Sequence, residues 1–91
     1  MPTTPATPAP WVPTPTLRLG MIGARVKELQ QVLKFWGHLT GPADGIFGPQ
    51  TRAAVQRFQQ SLDVYVDGVY GPQTADAYRA LLVYFASLKA A

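Results

Sequence analysis

Residues 44–51 read DGIFGPQT and residues 67–74 read DGVYGPQT. Six of the eight positions are identical, and the other two exchange Ile for Val and Phe for Tyr. The copies stand 23 residues apart. That interval holds one loop and one helix, and is too short for a solenoid repeat of two full elements. Each position has a structural task. The Asp supplies an acceptor for turn amides, and the Gly after it takes a positive φ. The apolar pair wedges beneath neighbouring helices. The second Gly aims the chain, and Pro starts the next helix at a position where its missing N–H is not needed. The octapeptide therefore reads as a structural joint used twice, in preference to a pair of ligand sites.

Upstream of the first joint, Ile22, Val26, Leu29, Leu33 and Trp36 recur at spacings of four and three, which makes one apolar stripe of a helix. Lys27, Glu28, Gln31 and Lys34 fall on the other side, and Gly37 suits a C-terminal cap. A second helix is expected from Pro49, with Thr51, Ala54, Val55, Phe58 and Leu62 on one face. A third is expected from Pro72, with Thr74, Ala77, Tyr78, Leu81, Leu82 and Phe85 turned inward. Short extended pieces are possible around Ile46 and Val69, without a substantial sheet. The fold class that follows is all-α: a compact three-helix bundle built from an opening helix and two repeated loop–helix units. Residues 1–16, with six prolines and five threonines, read as a stiff, poorly packed tether. The domain is placed at 17–91.

Composition narrows the function. The chain has 91 residues, 47% of them apolar, enough for one small core. It has no cysteine, which removes disulfides, thiolate catalysis and Cys-based zinc sites. The apolar run from Leu81 to Ala86 is far short of the roughly 20 residues a bilayer needs. The N-terminus does not have the pattern of a signal peptide, so an export signal is expected elsewhere, or release by lysis. One histidine, one glutamate and four aspartates are a poor start for a hydrolytic zinc site. Asp44 and Asp67 precede Gly as in a calcium loop, but lack the alternate carboxylates and the closing Glu. No strained nucleophile turn surrounds Ser61 or Ser87. The expectation is a protein that is not an enzyme and holds no cofactor or metal. The net charge of +3 comes from scattered basic residues, which weighs against nucleic acid, and no membrane partner is indicated.

The order L-R-L-G-x-x-G-x-x-V-x-x-L-Q-x-x-L over Leu17–Leu33, then D-G-I-F-G-P-Q-T-x-x-A-V-x-x-F-Q over Asp44–Gln59, then D-G-V-Y-G-P-Q-T, closely resembles the common peptidoglycan-binding domain. The resemblance covers Leu17 to about Leu82. It implies a non-catalytic module that targets or anchors an attached or partner protein to the bacterial wall. That protein would be a cell-wall hydrolase or a phage component, and the location extracellular, wall-bound or phage-associated. A related role, in which a cysteine blocks a protease zinc, is not supported by a chain without cysteine. The alternative class is a protein-interaction or assembly module that uses the same fold.

Peptidoglycan presents sugar faces, peptide amides and stem carboxylates, so a binder needs exposed aromatics, polar side chains and a cation. The two joint loops are expected to lie side by side and border a groove. The candidate ligand-binding residues are His38, Asp44, Phe47, Arg52, Gln56, Tyr65, Asp67 and Tyr70. Each has a plainer reading. Phe47 and Tyr70 suit core plugs, the aspartates suit turns, His38 suits a cap of helix one, and Arg52 suits a solvated charge. The partner expected is glycan or stem peptide, with the domain monomeric on its own.

Overall fold

The computed structural model describes residues 16–90, with side chains to residue 88. The tether expected over residues 1–16 lies outside the described residues except for Thr16. Three helices follow in order: α1 (Ala24–Phe35), α2 (Pro49–Leu62) and α3 (Pro72–Ala90). Both expected proline starts are observed. The helix ends follow from local chemistry. Gly37 has φ 83°, and the His38 and Gly37 N–H groups donate to Leu33 O (2.8 Å) and Lys34 O (3.1 Å). That is the two-bond left-handed cap that closes a helix with glycine. At the end of α2, Asp63 takes the left-handed conformation, with φ 60°.

α2 lies between α1 and α3 and packs against both. Its Ala54, Val55 and Phe58 are buried against Val26, Leu29 and Leu33 of α1 and Tyr78 of α3. Each fully buried side chain of Leu or Phe size contributes about 1.5–3 kcal/mol from water exclusion. α1 and α3 meet at Trp36, whose Nε1–H donates to the Tyr78 hydroxyl (3.1 Å) and whose ring packs on Phe85 at 5.6 Å. Phe47 and Tyr70, the aromatics of the two joints, plug the core with 1% and 0% exposure.

Two stripe assignments are corrected. Ile22 precedes α1 and is 75% exposed, because it pairs in extended form with Ile46 instead of joining the helix. Phe85 remains 43% exposed, because among the described residues its ring packs against Trp36 and Tyr84 alone. The pairing of Ile22 belongs to a larger feature. Residues 17–23 form a strap across both joints. Leu17 exchanges two backbone hydrogen bonds with Tyr70, both 2.9 Å. Further along, Gly20 N–H donates to Phe47 O, Phe47 N–H to Met21 O and Gly23 N–H to Gly45 O, each at 2.9 Å.

Candidate functional site

Each joint is built around one buried glutamine of the preceding helix. Gln30 and Gln59 are both 1% exposed. The Gln30 Oε1 accepts from Gly45 N–H (2.8 Å), and its Nε2 donates to Ile46 O (2.9 Å), Thr51 Oγ1 (2.9 Å) and Asp44 Oδ1 (3.1 Å). Gln59 repeats the set. Its Oε1 accepts from Gly68 N–H (2.9 Å) and Asp67 N–H (3.0 Å), and its Nε2 donates to Asp67 Oδ1 (2.9 Å), Val69 O (2.9 Å) and Thr74 Oγ1 (3.0 Å). Asp44 and Asp67 each accept an N–H two residues on, at 3.0 and 2.9 Å, and Gly45 and Gly68 have φ 81° and 75°. A carboxamide suits this place because it donates and accepts at once, and leaves no buried loop amide without a partner.

The joints differ in the loop that reaches them. Gln30 is 14 residues from Asp44, whereas Gln59 is 8 from Asp67. The longer first loop is pinned by Arg57, which donates to His38 O (2.7 Å from Nη2), and by Lys34 Nζ, which donates to Gly41 O (2.8 Å). It adds a wall to the first joint. A cleft of about 400 Å³ results, lined by Gln30, Leu39, Pro42, Asp44, Ile46, Gly48, Pro49, Gln50 and Thr51. Ile46 is 51% exposed at its edge, beside Ile22. The Asp44 carboxyl is held below its usual range by the Ile46 N–H and then by Gln30, so it stays ionised well into acid. The hydrogen bonds from Gln30 Nε2 and Ile46 N–H both fall on Oδ1, and the residue is exposed.

The structure does not gather the eight candidates into one groove, because the strap occupies the ground between the joints. Asp44 lines the cleft. Phe47 and Tyr70 are buried and offer no face to a ligand. His38 leans its ring on Phe58 at 5.4 Å, and burial followed by the Arg57 charge lowers its pKa. Arg52, Asp67 and Tyr65 belong to the second joint. The Arg52 side chain lies over Gly68, close enough that a Cβ there would meet its Cγ at 2.8 Å. Burial works against the Asp67 charge, but bonds from Gln59 and Val69 N–H, with Arg18 nearby, hold its carboxyl below the usual range. Gln56 is half-buried on α2, and Tyr65 is 72% exposed. Sequence reasoning missed Leu39, Pro42, Ile46 and Gln50 as cleft residues. The available signal was the first loop's extra length between otherwise matching motifs.

The module thus carries three helices, two clamped joints and an open cleft at the first joint. The profile of the family described as "Putative peptidoglycan binding domain" matches residues 22–77, and the chain belongs to this family. Solved structures agree. The N-terminal domain of SleB superposes with a TM-score of 0.69 at 36% identity, covering 74% of this chain and 92% of that one. An endolysin of the Burkholderia phage AP3 gives 0.66 at 42% identity, covering 71% and 25%. A peptidoglycan-binding protein of Clostridioides difficile, in complex with glutamine hydroxamate, gives 0.67 at 36% identity, covering 76% and 43%. No curated protein matches the chain. The chain thus spans nearly all of the SleB domain, but less than half of the other two proteins.

Proposed function

We propose that this chain is a non-catalytic module that holds an attached or partner protein on bacterial peptidoglycan, with wall contact centred on the first-joint cleft. Membership of the peptidoglycan binding domain family supports a location at the cell wall or envelope. The observation that carries the choice of site is the open cleft of about 400 Å³, where apolar and polar groups converge. Leu39, Pro42 and Ile46 present an apolar wall to a sugar face or an acyl stem. Asp44 accepts from an amide or ammonium, and Gln50 offers both a donor and an acceptor.

Around the second joint, Arg52, Gln56, Tyr65 and Asp67 supply an outlying contact for the polymer. Arg52 meets a stem carboxylate there, and Tyr65 a sugar ring. His38, Phe47 and Tyr70 serve the fold, since they support the loop and the core. The attached protein is a wall hydrolase or a phage component, reached through residues 1–16 as a tether to the module at 17–91. Support for that division comes from Leu17, which is 1% exposed and bonded to Tyr70.

Co-sedimentation with purified sacculi tests wall binding, and chemical-shift mapping with soluble muropeptides tests the place. The expected result is retention at moderate salt, with shifts at Leu39, Asp44, Ile46 and Gln50. Asp44→Ala with Gln50→Ala weakens retention about tenfold, each loss being of hydrogen-bond size. No retention sinks the function. Shifts confined to the outer face of α1 sink the site.

A further inference from the structure

The second half of α3 touches the rest of the fold through Leu81, Leu82 and Phe85 and leaves its outer side bare. The family match ends at residue 77, yet α3 continues to Ala90. From Ala80 to Leu88 the helix carries no charge on any face. Val83, Tyr84, Phe85 and Leu88 are 68%, 58%, 43% and 54% exposed, and Phe35 of α1 is 59% exposed. The three rings are not scattered. Tyr84 contacts Phe85 at 5.6 Å, Phe85 contacts Trp36 at 5.6 Å, and Trp36 contacts Phe35 at 5.0 Å. A helix that faces water normally carries charge on its outer side, and one that is apolar all round is covered.

We infer that this face is a homodimer interface, in which the C-terminal half of α3, with Phe35, packs antiparallel on the same surface of a second copy. The area fits. At about 150–250 Å² per aromatic side chain, the three exposed rings leave roughly 300 Å² uncovered. Leu88, one turn from Tyr84, raises the apolar patch to roughly 400 Å², and homodimer interfaces are about 65% apolar. The whole interface then approaches about 600 Å² per partner, about 1,200 Å² in total, which is the lower end of a specific contact. The pairing is self-complementary, as a two-fold interface requires: Tyr84 and Leu88 are one helical turn apart, and Ala80 and Ser87 beside them are small enough for the helices to approach. A neutral interface also accommodates two like-charged copies of net charge +3, screened at ordinary salt. A dimer would present two clefts to one polymer and raise weak retention by valency.

Light scattering on the full chain over about 10 μM to 1 mM reads the association without peptidoglycan, so this test is independent of wall binding. The expected result is a molar mass that rises toward twice that of the monomer. The double variant Tyr84→Glu/Leu88→Glu weakens dimerisation a hundredfold or more, because a dimer would bury its carboxylates unpaired. Both positions are exposed, so helicity by circular dichroism stays that of the parent. Ile22→Glu, on the other exposed apolar surface, leaves the dimer unchanged. A monomer at every concentration overturns the inference. So does a dimer that survives the double variant or is lost with Ile22→Glu. A monomer whose Tyr84 and Phe85 resonances move when residues 1–15 are deleted overturns it too, and assigns the face to that segment.

Discussion

Replacing Gln59 with Ala removes the side chain that satisfies the second joint. In the variant, Gly68 N–H loses its acceptor in a buried position, and in partly buried ones Asp67 N–H loses its acceptor and Val69 O its donor. Thr74, 3% exposed, loses the bond to its hydroxyl oxygen. A buried group left without a partner costs about 1–3 kcal/mol. Gly68 N–H takes that cost in full, whereas water reaches the partly buried groups and holds each of them to about 1 kcal/mol or less. The sum is about 3–4 kcal/mol. Domains of this class have about 5–15 kcal/mol in all, so the loss is a large share of the whole. It corresponds to a fall in Tm of roughly 12–32 °C, at about 4–8 °C per kcal/mol for 60–100 residues. Urea unfolding followed by circular dichroism measures it, with the exposed Gln60→Ala as a reference that stays within about 0.5 kcal/mol. Gln59→Glu keeps the shape but sets a carboxylate where an amide donated to Asp67 Oδ1. It is expected to be destabilised near neutral pH and to regain stability on mild acidification, as the new carboxyl takes up a proton. A Gln59→Ala loss below about 1 kcal/mol, or one equal to that of Gln60→Ala, would refute the clamp reasoning.

Gln30→Ala should cost a similar amount at the first joint, since Gly45 N–H has the same buried acceptor, and should also blunt muropeptide shifts in the cleft. Gly68→Ala forces a side chain to φ 75° and against Arg52, so a loss of about 1–3 kcal/mol is expected in urea unfolding, only partly recovered by Arg52→Ala. Tyr78→Phe removes the acceptor of Trp36 Nε1–H and should cost about 1 kcal/mol, with a change in tryptophan emission. Acid acts in two windows. His38 has a lowered pKa in the fold, so the unfolded chain takes the proton first, and stability falls as pH drops below 6.5 until His38 protonates in the fold as well. Asp44 and Asp67 are also lowered, so their contribution is present above 3.8 and is lost as pH falls through their folded values. Thermal melts at stepped pH check both windows, and His38→Gln removes only the upper one.

The sequence by itself determined the elements and their punctuation. Pro49 and Pro72 start helices, Gly37 ends one, and Asp–Gly turns the chain twice, because each of these depends on bonds within a few residues. The same locality placed Phe58, Val55 and Tyr78 in the core. What depends on distant partners was not legible. Gln30 and Gln59 look like surface residues beside an apolar stripe, and only the arrival of a later loop turns them into buried clamps. Ile22 fits the spacing of α1, yet backbone pairing of the strap with residues 45–47 holds it outward. The candidate residues were drawn toward one groove because the repeats look equivalent. The tertiary structure separated them, since residues 17–23 need hydrogen-bond partners and find them between the two joints. The cleft arises from the same cause: a first loop longer than its twin must fold back on α2, and the space beneath it is what the repeated octapeptide alone did not reveal.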